Sequence, residues 1–394
     1  MLSYKNWISG SAIGAIAACT VVTPAFAKDA RPMTAWEASR TVDEGDMVTT
    51  GVARGRDRLN SATSTSAIKE NDIISIAPRS LAELFRNIPG IRVEASGGEA
   101  NNSYTVRGLP LVGNGAKYIQ IQEDGLPVLE FGDLAGLTPD LFVRADLNVG
   151  QVESIRGGSA STFASNAPGA VINLISKTGE VEGGSVMATI GVDFETYRTD
   201  FDYGAQLGDG WRFHVGGFYR EGEGPRETGY NGMRGGQVKM NVTKQFDSGY
   251  IRVYAKVLDD QVPTIQNVPL LVSGTNADPV FADPRGLDST TGSLNSLTLP
   301  TPLRLGASGT PSSASLSEGT RIKAKSLGFD AQFSLGEWSI ANRFRYSDQS
   351  AQSTFLFPAV FKRAAVAVAR KLAVIMHAKL KSGELFDGKI VAPT

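Results

Sequence analysis

Residues 151–179 read QVESIRGGSASTFASNAPGAVINLISKTG. Val152, Ser154 and Ile155 make a strand that runs into a glycine turn, Arg156-Gly157-Gly158. A small-residue segment through Asn166, Ala167, Pro168 and Gly169 follows, and then a second apolar strand over 170–176. The chain differs on either side of this stretch. Before it lie short strands and one helix; after it the strands become long and alternate strictly.

Residues 72–178 read as one compact α+β domain. Leu81, Leu84, Phe85 and Ile88 fall at i, i+3, i+4 and i+7, which predicts a short amphipathic helix starting near Pro78 and stopping at Pro89-Gly90. Short strands are predicted over 91–93, 104–107, 118–122, 128–131 and 147–155, separated by turn signals at Gly97-Gly98, Asn114-Gly115 and Asp124-Gly125. Three runs then line up in order: Ile88-Pro89-Gly90-Ile91, Val106-Arg107-Gly108-Leu109 and Glu123-Asp124-Gly125-Leu126-Pro127-Val128. With the opening stretch they resemble the plug domain of TonB-dependent outer-membrane receptors, whose plug ends in a run of the form RG…YGSNAPGGVINI. An ordered set of motifs is far more specific than a lone glycine-rich loop. The resemblance marks Gly108, Gly157, Asn166 and Gly169 as plug-motif positions. It also implies that Arg107 and Arg156 pair with barrel glutamates to lock the plug, with a solvated loop arginine as the alternative for each. The expected partners fall in strands beyond those present, so an unformed lock is expected.

From Gly183 to residue 358 the pattern has period two. Val238, Met240 and Val242 alternate with Lys239, Asn241 and Thr243; Leu327, Phe329, Ala331, Phe333 and Leu335 alternate with Gly328, Asp330, Gln332 and Ser334. Similar runs occupy 185–192, 197–207, 211–219, 250–258 and 338–346. Such strands suit a β-barrel with lipid outside and a wet lumen inside, or a soluble antiparallel sandwich. Trp211, Tyr219, Tyr250, Trp338 and Tyr346 near strand ends fit an aromatic girdle. Residues 263–320, rich in Ser, Thr, Gly and Pro, read as a long loop or a disordered insertion. The stretch holds roughly seven strands, whereas a barrel with a plugged lumen uses about 22. A barrel of about eight strands is filled by its own side chains and leaves no space for a plug. The expected fold is therefore an α+β plug followed by an antiparallel transmembrane β-barrel that is incomplete.

The N-terminus reads as an export signal over residues 1–27. Lys5 is the basic start, 7–22 the apolar core, and Ala25-Phe26-Ala27 the cleavage site. A lipoprotein reading of Ile16-Ala17-Ala18-Cys19 fits the resemblance less well. Cleavage after Ala27 removes the only cysteine, Cys19. Residues 28–71 read as a flexible tail. Within it Asp46, Met47, Val48, Thr49 and Thr50 resemble the TonB box, a segment that binds its partner by strand addition; the alternative is an ordinary linker. Residues 359–394 read as a basic helical tail, and part of it, Ala369 to Glu384, resembles the end of insertion-sequence transposases.

The 39 basic and 40 acidic residues nearly cancel, which argues against nucleic acid as a partner. His214 and His377 have no carboxylate or second ligand at metal-binding spacing, and no catalytic constellation, cofactor motif or metal site is expected. His214 is expected to point from its strand into the lumen. The resemblance implies an energy-coupled receptor in the outer membrane that imports a scarce ligand such as an iron–siderophore complex and engages TonB and membrane lipid. Two alternatives are a non-transporting product of a disrupted receptor gene and a periplasmic plug-type binding module.

Overall fold

The computed structural model describes residues 64–354 except 96–97, 112–114, 133–137, 159, 161–163, 266–267, 285, 295–302, 306–310, 314–315 and 337, and also the segments 18–22, 47–48 and 56–57. The elements up to the domain end are β1 Ala18–Val22, β2 Met47–Val48, β3 Arg56–Asp57, β4 Ser64–Lys69, α1 Glu70–Ile76, α2 Leu81–Phe85, β5 Ile91–Glu94, β6 Ser103–Val106, β7 Ile119–Glu123, β8 Leu126–Pro127, β9 Val149–Arg156 and β10 Ala170–Ser176. A five-stranded sheet in the order β4-β9-β10-β7-β8 forms the centre of the domain, with β10 parallel to β7 and antiparallel to β9. β5 and β6 pair separately.

Helix α2 begins where Ser80 accepts a hydrogen bond from the Glu83 amide at 3.3 Å, while Glu83 accepts from the Arg79 amide at 2.8 Å. This satisfies amides that the first turn cannot pair internally. Its buried face is Leu81, Ala82, Leu84 and Phe85, and the Phe85 ring lies 5.7 Å from that of Tyr104. The helix is shorter than the 78–89 expected from periodicity, and Gly90 at φ +80° turns the chain into β5.

Three expectations need correction. Residues 64–71 do not belong to the tail: Ser64–Lys69 is β4, an edge strand of the plug sheet, and α1 follows directly. Only Ile68 of β4 is buried, so the strand has no apolar alternation to reveal it. The strand expected over 128–131 forms instead at Leu126–Pro127, because Asp124 and Gly125 at φ +54° and +81° make a tight hairpin that folds β8 back immediately. Residues 263–320, read as one loop or disordered insertion, contain two hairpins.

The remaining strands are β11 Gly183–Ile190, β12 Tyr197–Gly208, β13 Trp211–Gly222, β14 Met233–Phe246, β15 Gly249–Val262, β16 Leu271–Gly274, β17 Pro279–Ala282, β18 Leu303–Leu305, β19 Pro311–Ser313, β20 Thr320–Leu335 and β21 Trp338–Ser353. β11 to β15, β20 and β21 form one antiparallel meander, β16–β17 and β18–β19 being the hairpins between β15 and β20. Tight turns join β12 to β13, β14 to β15 and β20 to β21 at one end, and longer loops lie at the other. β1 pairs along the free side of β11; it falls inside the apolar stretch read as an export signal, whose cleavage site lies outside the described residues.

Burial decides between the two readings of these strands. Val238, Met240 and Val242 are exposed, while Gln237, Asn241 and Thr243 between and beside them are buried. A soluble sandwich buries its apolar face. Here the polar face is covered by the plug and the apolar face is bare, as a lipid-facing wall requires. The plug and wall share one core: Leu258, Val262, Ile322 and Ala324 of β15 and β20 pack with the plug cluster around Leu84, Phe85 and Ile121. Among the described residues the sheet does not close into a barrel.

Candidate functional site: the plug–wall interface

Three clusters of charge join the plug to the inner face of the wall. The first centres on Glu123, held at the end of β7 by the Asp124-Gly125 turn. Asp124 accepts from the Ser176 amide and hydroxyl at 2.8 and 2.9 Å, which pins the hairpin to β10. Lys239 reaches one Glu123 carboxylate oxygen at 2.8 Å and Lys256 the other at 2.7 Å. Arg345 lies 3.9 Å away and donates to the carbonyls of Glu123, Leu126 and Pro127. Burial alone would raise the Glu123 pKa, but Lys239, Lys256 and Arg345 together hold it well below the usual carboxylate range.

The second cluster centres on Asp260 of β15. It accepts from Arg144 Nε of the plug at 2.8 Å and from Arg220 Nε and Nη2 of β13 at 3.1 and 2.7 Å. Arg220 also contacts the carboxylate of Glu99, in the plug turn after Gly98. Arg144 Nη1 donates to the carbonyls of Asp140, Leu141 and Val143. Asp140 is itself buried and accepts from the Asn102 amide at 2.9 Å, from the Tyr104 hydroxyl at 2.9 Å and from Thr138. Burial and then the Asp140 carboxylate push the Tyr104 hydroxyl well above its ordinary pKa, so it remains a donor.

The third cluster fastens the segment leaving the plug. Lys177 pairs with Asp202 of β12 at 2.9 Å and with Glu70 of α1 at 2.6 Å. Asn241 donates to the Lys177 carbonyl at 2.8 Å. Gly179, at φ +74°, lies so close to β13 that an added Cβ would be 2.0 Å from the Phe213 carbonyl oxygen. His214 points inward and is buried, with Nε2 3.2 Å from Asp202. Sequence spacing offered it no carboxylate; the antiparallel register of β12 and β13 supplies one.

The motif positions have local reasons. Arg107 and Gly108 both adopt positive φ, +49° and +77°, in the turn after β6. The Gly157 amide donates to the Gly169 carbonyl at 2.7 Å, tying the turn after β9 to the start of β10. A Cβ on Gly169 would sit 2.4 Å from Val106 Cγ1 and 3.0 Å from the Tyr118 carbonyl oxygen. Asn166 adopts φ +56°, and its side-chain amide donates to Glu130 at 3.2 Å.

The hydrogen bonds described for the two arginines remain inside the plug. Arg156 donates to the Pro89 carbonyl at 2.5 Å and the Thr65 carbonyl at 3.1 Å, and Arg107 donates to Ser64 Oγ at 2.6 Å. Burial, and then the neighbouring Arg107 guanidinium, lowers the Arg156 pKa. The wall contacts fall instead to Glu123, Arg144, Glu99 and Lys177; Glu123 and Lys177 lie in the quoted plug runs, but none of the four is marked as a site residue by the sequence. On the wall side the signal was charge at inward positions of the strands, such as Lys239, Lys256 and Asp260. Met47 and Val48 of the box-like segment pair with Asp57 and Arg56, while Asp46, Thr49 and Thr50, like His377 and residues 359–394, lie outside the described residues.

Removing one partner of such a buried ion cluster leaves a charge in a low-dielectric site and is strongly destabilising.

Comparison with known proteins agrees with this architecture. The family model described as the TonB-dependent receptor plug domain matches residues 57–171. The ferric enterobactin receptor PirA of Pseudomonas aeruginosa is 26% identical over 253 residues, covering 55% of this chain and 33% of that protein. The vitamin B12 transporter BtuB of Photobacterium profundum is 24% identical over 254 residues, covering 51% of this chain and 39% of that protein. This chain thus spans between a third and two fifths of the length of these two relatives. Among solved structures, BauA, the ferric preacinetobactin receptor of Acinetobacter baumannii, superposes with a TM-score of 0.56 at 16% identity, over 78% of this chain and 41% of that one. FyuA, the ferric yersiniabactin uptake receptor of Yersinia pestis, gives 0.53 at 16% identity, over 75% and 42%. Residues 57–171 thus carry a TonB-dependent receptor plug domain, and the plug-on-wall fold around it is the one seen in these solved receptors.

Proposed function

We propose that this chain is the plug and adjoining wall of an outer-membrane importer that takes up a scarce small ligand, an iron–siderophore complex or comparable chelate, with energy from TonB. The observation that carries this reading is the plug held by buried ion clusters on the polar inner face of a sheet whose outer face is apolar. The tight-turn end faces the periplasm and the long-loop end the exterior, as in outer-membrane barrels generally. Residues 46–50 serve as the strand that TonB captures. Import breaks no bond; it needs a plug that stays docked until pulled, and paired buried charges supply that property.

Two measurements test the reading. Fractionation of cells expressing the chain should place it in the outer membrane as a heat-modifiable band. A soluble periplasmic product would favour a plug-type binding module, and rapid degradation a non-transporting product. In a receptor with a complete barrel, deleting residues 46–50 should abolish uptake and leave surface binding of the ligand intact; unchanged uptake would refute the role of the box. Arg107 and Arg156 are the proposed partners of carboxylates on a complete wall, and Arg156→Glu should then admit a large antibiotic.

A further inference from the structure

A small cleft lies between helix α1 and the wall, on the side of β11 to β13. Ile73, Ile74 and Pro78 form one side, and Met187, Phe194 and Met233 the other. Its open lining is mostly apolar, with charged side chains such as Glu70, Lys177 and Arg220 around it, and that mix is the make-up of a small-molecule site. One polar edge consists of Arg220, with the carboxylate of Glu99 resting on it, and the Arg198–Asp200 pair; the Lys177–Glu70 pair lines another part.

The two carboxylates on Arg220 differ in kind. Asp260 is fully buried on a strand and is shared with Arg144; Glu99 is 13% exposed and sits on a short turn after Gly98. Glu99 is the exchangeable partner. An incoming carboxylate that replaced it would leave the charge balance at Arg220 unchanged, so the exchange leaves no guanidinium bare. Its apolar body would enter the space beside Ile74 and Met187, and the two methionines of the lining adapt readily to different shapes.

We infer that this cleft binds a small amphipathic carboxylate, with Glu99 occupying the carboxylate position when the cleft is empty. The site lies between α1 of the plug and the wall, and does not depend on transport.

The test is hydrogen–deuterium exchange on the full chain reconstituted in nanodiscs, with octanoate as the probe. Octan-1-ol, which has the body without the charge, and acetate, which has the charge without the body, are the controls. Octanoate should slow exchange in α1 and, by releasing Glu99, speed exchange in residues 98–101; neither control should produce this pair of opposite changes. Glu99→Gln should bind octanoate about tenfold more tightly, because the internal competitor is weakened. Equal protection of α1 by octanol, no protection of α1 by octanoate, or unchanged or weaker octanoate binding in Glu99→Gln would each overturn the assignment. Arg220→Gln should lose octanoate binding; if that variant does not fold, Glu99→Gln decides alone.

Discussion

Asp260→Asn isolates the energetics of plug docking. The substitution keeps the shape of the side chain and removes its charge, leaving Arg144 and Arg220, with side chains 2% and 1% exposed, facing a neutral amide. Three charge-assisted donor contacts at 2.8, 3.1 and 2.7 Å lose their anion. Removing one partner of a buried pair costs about 3–5 kcal/mol, because the buried Arg144 guanidinium keeps only carbonyl acceptors and no anion. At about 1.4 kcal/mol per decade, the undocked population rises by roughly two to three and a half orders of magnitude. The assay is hydrogen exchange at residues 138–148, the loop that carries Arg144. A Glu94→Gln control breaks the exposed pair with Arg92, whose side chains are 69% and 45% exposed, and should cost less than about 1 kcal/mol. Arg144→Met provides the second arm. It should cost less in the Asp260→Asn background than in the wild-type chain, since its guanidinium has already lost its partner. Exchange within threefold of wild type in Asp260→Asn, or strictly additive costs in the double variant, would refute the reasoning.

Acid should weaken the Glu123 cluster. The folded pKa is depressed, so its contribution is complete above the ordinary glutamate value of 4.5 and is withdrawn as pH falls below it towards the folded value. Proteolytic protection of the plug should therefore decline below about pH 4.5, and Glu123→Gln should remove that part of the acid dependence; identical acid profiles would contradict this. Gly169→Ala should destabilise the plug by about 1–3 kcal/mol, since its Cβ would meet Val106 and the Tyr118 carbonyl, and thermal unfolding of the variant measures it. Val253→Arg on the bare face of β15 should reduce membrane assembly by about 2–4 kcal/mol if the site is near the bilayer midplane, whereas Ser339→Arg at the tight-turn end of β21 should cost less; equal outcomes in a folding assay would argue against a lipid-facing wall.

Much of the fold was legible because the determining signals are local. Alternation over β14 and β20 needs no partner to be read, and it located the wall strands. The helix α2 was visible because Leu81, Leu84, Phe85 and Ile88 share one face, although its length was overestimated. β4 and α1 were missed because Ser64, Thr65 and Ser66 look like a linker, and α1 ends with Ala77 in a left-handed conformation (φ +45°) where glycine would be the usual marker. Strand alternation alone could not distinguish a sandwich from a barrel wall. That required knowing which face was covered.

The interface was the least legible part. Arg144 and Asp260 are 116 residues apart, Glu123 and Lys256 133, and Arg345 and the Glu123 carbonyl 222. No spacing rule reaches across such distances. The sequence by itself determined the plug motifs, whose glycines are required by positive φ or by contact too close for a Cβ, and it determined the two-faced strands. Only the tertiary structure decided which charges meet. Strand register sets the height of each inward side chain, and the plug's orientation within the wall sets which plug residue faces it, so the pairing exists only once both are docked.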